Sequence, residues 1–282
     1  MKSLNSYKRL GDRESLFVSL FQNRFIGDDG AVIGDLVYTK DLFFEDIHFK
    51  REWMSLERIV RKSMLVNISD AVAMNARVKY ALIGIEIPKR FSNRELREIW
   101  RAFSDISKEW GFEIIGGDTV AKDKLNISIT LISETKKPLF RSGAKEGDIA
   151  AFTGDLGSVG RDLKRALRGV KLSYRSKFVT PVLKSDFLYK VAPFINAATD
   201  ISDSLSKDLS RISLLSGVGF EFFKKFDKAT LCSGEEYEIL FTFPKRNLKR
   251  ILNIAKQTRT KVTPFAIAKR GFYKNICKAH HF

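Results

Sequence analysis

Short runs of β-branched and aromatic residues alternate along this chain with stretches whose apolar residues recur at helical spacing. That is the pattern of a mixed α/β or α+β architecture. Ala31 to Tyr38 and Tyr80 to Ile87 read as strands, the second bounded by Pro88. Between them Leu56 to Ala76 reads as a helix, with Ile59, Val60, Met64 and Val66-Asn67 near its buried side. Ser92-Asn93-Arg94-Glu95 is a capping box, after which Leu96, Ile99, Trp100, Phe103 and Ile106 keep helical spacing until Gly111. Leu125 to Ile132 alternates apolar with polar residues and predicts a half-buried strand. A polar, turn-rich stretch over 136–147 then separates an expected N-terminal domain, 1–137, from a C-terminal domain, 138–282. The second half opens with a strand from Asp148 to Phe152 and a glycine-rich loop, Thr153 to Gly160, leading into a helix through Leu167. A helix follows Asp203, with Leu205, Leu209, Ile212 and Leu215 on one face. Strands Ile239–Phe243 and Val262–Ala268 flank a basic helix, Lys245–Lys256.

Composition bounds the function classes. The 282 residues are 44% hydrophobic with 23 Phe, enough for sizeable cores in two domains. No stretch approaches the roughly 20 apolar residues that cross a bilayer, and the opening segment lacks the apolar run of a secretory signal. Cys232 and Cys277 make no disulfide framework and lack metal-ligand spacing. The expectation is a cytoplasmic protein without a membrane partner. The formal charge of +17 would suit nucleic acid, but the 50 Lys and Arg are scattered and not interleaved with aromatics. Nucleic acid is therefore not the expected partner.

Against that basic background, acids stand in small-residue motifs: Gly27-Asp28-Asp29-Gly30, Asn67-Ile68-Ser69-Asp70, Gly116-Gly117-Asp118-Thr119 and Asp200-Ile201-Ser202-Asp203. Carboxylates brought together repel unless a cation lies between them, and hard oxygen donors suit Mg²⁺, which commonly also holds substrate phosphates. Asn67 and Asp70 interrupt an apolar helix, where short polar side chains are disfavoured. The glycines of 116–117 read as a loop that lets backbone approach a ligand. Thr153 to Gly160 offers amides to an anion, although it lacks the Gly-Lys-Ser/Thr ending of a Walker A loop. Asp200 to Asp203 serves equally well as a helix cap, and Ser233-Gly234-Glu235-Glu236-Tyr237-Glu238 has no local structural explanation.

Taken in order, GDDGAVI (27–33), KDLFFEDIHF (40–49), NISDAVAMNA (67–76), GGDT (116–119), RSGAKEGD (141–148), ATDISDSLSKDL (198–209) and SGEEYEILFTFP (233–244) resemble the thiamine-monophosphate kinase family. That family is a branch of a superfamily that includes aminoimidazole-ribotide synthetase. The resemblance implies the two-domain α/β fold of that superfamily, with N-terminal sheets pairing in a homodimer and ATP in a cleft near the interface. It implies transfer of the ATP γ-phosphoryl group to thiamine monophosphate with several Mg²⁺ ions. No residue is implied as a catalytic base, because the acceptor phosphate already has a low pKa. By the same likeness Asp29, Thr39, Lys40, Asp41, Asp70, Asp118, Asp200 and Asp203 fall at metal positions. Gly117, Asp118, Arg141 and Ser202 fall at nucleotide positions, and His48, Glu235 and Ala279 at positions contacting the substrate.

Three departures stand out. Lys40 replaces a threonine; a metal contact through its carbonyl would survive, one through a hydroxyl would not. Ser204 replaces a glycine. Ala279 stands where the family carries an aromatic ring that stacks on substrate. The alternatives are another ATP-using member of the superfamily, such as a hydrogenase-maturation carbamoyl dehydratase, and a non-catalytic basic RNA-binding protein. The dehydratase would end in cysteine, whereas Cys277 is followed by five residues.

Overall fold

The computed structural model describes residues 10, 12–21 and 23–278, so Ala279 lies outside the described residues. Helix α1 (Arg13–Ser19) precedes a first sheet made of β1 (Ala31–Ile33), β2 (Leu36–Phe44), β3 (Arg77–Pro88), β4 (Glu113–Lys122) and β5 (Asn126–Glu134). Their order is β1-β2-β5-β3-β4. Helix α2 (Leu56–Ala73) links β2 to β3, and α3 (Asn93–Trp110) makes the crossover between β3 and β4, the parallel pair. Ser92 and Glu95 form the expected capping box, and Gly111 closes α3 in the left-handed conformation at φ +69°. Alternation in β5 sends Ile127, Ile129 and Leu131 into the core, where α2 is buried along most of its length.

The strand expected over Ala31 to Tyr38 is a hairpin. Ala31 pairs with Tyr38 and Ile33 with Leu36, and the turn passes through Gly34 at φ +61°. Nor is the Gly116–Thr119 motif a loop: it lies within β4, every residue of which is exposed. The diglycine hides the strand because an edge strand open on both faces shows no alternation. At Gly117 the glycine is required by packing, since a Cβ at its φ of +152° would drive into the Ile83 carbonyl on β3.

The second half holds β6 (Asp148–Thr153), β7 (Ala197–Asp200), β8 (Gly219–Phe222), β9 (Ile239–Pro244) and β10 (Val262–Lys269), ordered β7-β9-β6-β10-β8 with antiparallel neighbours throughout. Helices α4 (Ser158–Leu167), α5 (Ser185–Val191), α6 (Leu205–Ser216), α7 (Lys228–Leu231) and α8 (Leu248–Gln257) surround it. The basic helix expected from Lys245 starts as a 3-10 turn before α8. One apolar cluster runs from Phe43 and Ile68 through Phe178 and Phe187 to Phe241 and Ile251, so α2 packs against both halves. Cys232 and Cys277 come together in a single disulfide, with Cα atoms 5.4 Å apart. Separated by 45 residues, they carry no local spacing that would have shown it.

Candidate functional site

Four acids converge where the two halves meet. Asp29 sits in the turn before β1, Asp41 on β2, Asp70 on α2 and Asp200 at the end of β7. Parity on β2 puts Asp41 on the same face as Val37, Thr39 and Phe43, toward α2. On α2, Asn67 and Asp70 are three residues apart and share a face. Carboxylate oxygens of Asp29, Asp70 and Asp200 all lie within 4.8 Å of one another. Ser69 Oγ donates to Asp200 Oδ2 at 2.7 Å, and Thr199 Oγ1 donates to Asp29 Oδ1 at 3.0 Å. Asp29 Oδ2, Asp41 Oδ2 and Asp200 Oδ1 are nevertheless buried with no hydrogen-bond partner among the described residues.

Protonation reflects the crowding. Burial, with Asp41, Asp200 and Asp29 alongside, holds the Asp70 carboxyl well above the usual carboxylate range. Asp200 is likewise raised well above it, by burial and then by Asp29 and Asp208. Asp41 is pushed up to about 6, mainly by burial, against the opposing charge of Lys40. Arg141 places a cation directly on the cluster: its guanidinium pairs with Asp29 and donates to Thr199 Oγ1 at 3.1 Å. Its backbone N–H donates to Asp28 Oδ1 at 2.6 Å.

Asp29, Asp41, Asp70, Asp203, Arg141 and Ser202 line a cavity of about 260 Å³. Asp203 faces a different environment there, paired with Lys207 at 3.2 Å and Arg211 at 2.7 Å. Glu14 of α1 reaches the same two cations at 2.9 and 3.4 Å.

Asp118 and Gly117 are not part of this group within one chain. Asp41 is in register with Ile129, Ile129 with Ile83, and Ile83 with Gly117. Three strand spacings, about 14 Å, therefore separate Asp41 from the motif on β4. Asp118 is exposed, and its Oδ1 accepts from the Thr119 N–H. Thr39 commits its hydroxyl to Asn67 Oδ1, and Lys40 turns to the opposite face of the sheet, where its ammonium bonds Ser128.

The expectation of an anion at the start of α4 finds its anion inside the chain. The N–H groups of Gly157 and Val159 donate to Glu236 Oε1, at 2.6 and 3.3 Å. Lys177 binds Glu236 and Glu238 at 2.9 Å each, and Thr153 Oγ1 donates to Glu238 at 2.7 Å. His48 Nδ1 accepts from the Phe44 N–H at 3.0 Å while its ring stacks on Phe43. Glu235 pairs with Lys62.

Residues 27–135 match the family described as AIR synthase related protein, N-terminal domain. Thiamine-monophosphate kinase of Pyrococcus abyssi is 31% identical over 86% of this chain and 84% of its own length. The chain belongs to the thiamine-monophosphate kinase family. It is accordingly an enzyme of the kinase class. Its fold is shared with the crystal structure of thiamine monophosphate kinase from Aquifex aeolicus, at TM-score 0.81 and 24% identity over 96% of this chain and 99% of that one. It is shared too with a structure titled AaThiL complexed with AMPPCP and TMP, at TM-score 0.79 and 24% identity over 92% and 89%. Among the described residues no helix is long and apolar enough to cross a membrane.

Sequence reasoning missed the cations of this kinase-family chain: Lys62, Lys177, Lys207 and Arg211. Lys62 left a trace, three residues after Ile59 and so on the apolar side of the helix. Lys207 with Asp203 and Arg211 with Asp208 are i,i+4 and i,i+3 pairs that local spacing could have shown, whereas Lys177 meets Glu236 only through tertiary contact.

Proposed function

We propose that this enzyme transfers the γ-phosphoryl group of ATP to the phosphate of thiamine monophosphate, giving thiamine diphosphate and ADP, with Mg²⁺ held by the converging carboxylates. The observation that carries this reading is the set of buried, partnerless oxygens on Asp29, Asp41 and Asp200 beside Asp70. Buried acids left this way are costly, and a hard divalent cation is the group that their chemistry fits. Asp29, Asp41, Asp70 and Asp200 would hold it, with Asp203 at the rim of the cavity. When bound, Mg²⁺ neutralises the charge shared by the carboxylates and the phosphates.

The protein's own part is positioning. Arg141, fixed by Asp29 and Thr199, presents a planar guanidinium to a phosphate at the cavity wall. Ser202 stands on the same wall. An acceptor phosphate oxygen is already deprotonated at neutral pH, so attack on the γ-phosphorus needs no general base. Alignment of two polyanions in a partly enclosed site then supplies most of the acceleration. His48, Glu235 and Ala279 form the acceptor end of this reading.

The first sheet supports a homodimer. Tyr80 and Leu82 on β3 and Ile115 and Val120 on the edge strand β4 are exposed, an apolar surface beside the sheet's unpaired edge. Pairing of these sheets would bring Gly117 and Asp118 from the surface into an interface next to the nucleotide. Residues 1–137 then supply the metal and dimer contacts, residues 138–282 complete the nucleotide and substrate site, and the enzyme works in the cytoplasm.

The deciding assay incubates the purified chain with ATP, Mg²⁺ and thiamine monophosphate. Thiamine diphosphate should form and EDTA should stop it. No product, together with salt-sensitive RNA binding, would instead favour the basic RNA-binding reading.

A further inference from the structure

Lys62 has a fully buried side chain, carried into the interior on α2 beside Ile59, Ser63 and Met64. Its ammonium donates to Glu235 Oε2 at 2.6 Å and lies 4.1 Å from the centre of the Phe178 ring and 5.7 Å from that of Phe43. A buried ammonium is tolerated only where a counter-charge and aromatic faces replace its water. Here the counter-charge comes from the other half of the chain, 173 residues away.

Glu235 is also fixed through its backbone. Its N–H donates to the Ser202 carbonyl at 2.6 Å, and its φ is +54°, a conformation that a residue with a side chain holds only when its surroundings over-determine it. That leaves the carboxylate its own rotamers, and the bond to Lys62 selects among them. The side chain is still 24% exposed, so Lys62 does not enclose it. Phe43, facing the same ammonium, stacks on His48 with ring centres 5.5 Å apart. The two described residues at the acceptor end therefore meet through Lys62 and Phe43.

The geometry points to Lys62 as a positioning residue for the acceptor, acting through Glu235. It touches no substrate itself. It keeps the Glu235 carboxylate aimed, so that an amino group or positively charged ring of the acceptor finds a fixed counter-charge. This rests on the reading that His48 and Glu235 receive thiamine monophosphate.

The test compares the full chain with Lys62→Met, Glu235→Gln and the double variant, reading KM for thiamine monophosphate and for ATP separately. Lys62→Met should raise KM for thiamine monophosphate by about tenfold or more and leave KM for ATP within about threefold. A purely structural loss would lower the active fraction, and hence kcat, without moving one KM alone. Because Lys62 acts through Glu235, the double variant should bind thiamine monophosphate no worse than Glu235→Gln. If Lys62→Met fails to fold, the double variant, which strands neither the Glu235 carboxylate nor the ammonium, carries the comparison by itself. A further loss of about tenfold beyond Glu235→Gln would overturn the proposal. So would a folded Lys62→Met whose KM for thiamine monophosphate is unchanged, or whose two KM values rise together. A wild-type chain that does not phosphorylate thiamine monophosphate overturns the functional reading and this proposal with it. An active wild type matched by Lys62→Met overturns only the role of Lys62.

Discussion

Two groups of acids lie close together in this molecule and are built in opposite ways. In the segment from Ser233 to Glu238, Glu236 receives two backbone N–H groups, the Ser233 hydroxyl and Lys177. Glu238 receives Lys177 and the Thr153 hydroxyl, and Glu235 receives Lys62. In the cluster of Asp29, Asp41, Asp70 and Asp200, the Arg141 guanidinium pairs with Asp29, and three buried oxygens have no donor among the described residues. Satisfied acids hold a fold together. Acids left short of partners, with Asp70 and Asp200 raised well above the usual carboxylate range, are what the proposed cation would bind.

Substitution at the two places should break the molecule differently. Asp70→Asn should lower kcat by about a thousandfold, on the scale of losing a main electrostatic contact to the reacting charges. Because it also relieves repulsion from Asp41, Asp200 and Asp29, the metal-free protein should melt no lower than wild type. Steady-state kinetics and a thermal melt check both halves of that statement, and an unchanged kcat would refute the assignment. Lys177→Met should do the reverse. It takes the counter-charge from the buried Glu236 and Glu238, so unfolding free energy should fall by about 3 kcal/mol, measured by denaturant titration. Activity per folded molecule should survive.

The pH dependence follows from the same contrast. The folded-state pKa of Asp41 lies near 6, above the ordinary aspartate value of 3.8, and Asp70 and Asp200 are raised well above it too. The folded protein therefore holds protons that the unfolded chain releases. In the metal-free protein, the contribution of these groups to stability is present below about pH 4 and lost as pH rises through 6 and beyond. The proposed Mg²⁺ would bind the ionised form, so its stabilising shift in Tm should be larger at pH 8 than at pH 5. Equal shifts at both would contradict the cluster as the binding site. The smallest effect concerns the tail: Ala279→Trp, which restores the ring that the resemblance expects, should lower KM for thiamine monophosphate a few-fold. No decrease would mean that the acceptor needs no ring at that position.

The comparison also explains what could be read from the sequence. Asp70 stood out because an acid within the apolar run of α2 violates the local pattern, and α3 because its capping box and Gly111 are local signals. The four converging acids were legible as residues and, through the family motifs, as a group. Their partners were not. Lys177 meets Glu236 across 59 residues and Lys62 meets Glu235 across 173, distances at which periodicity says nothing. The hairpin at Gly34 and the exposed strand β4 were misread for a related reason. Glycine marks both a turn and a close approach of two strands, and only the neighbouring strand decides which.

The central claim is that Asp29, Asp41, Asp70 and Asp200 hold a divalent cation. It is tested most directly by titrating the purified chain with Mn²⁺ and following the free ion by electron paramagnetic resonance, for wild type and for Asp70→Asn combined with Asp200→Asn. The account predicts saturable binding to wild type that Mg²⁺ displaces and that the double variant loses. Equal binding by a folded double variant would contradict it.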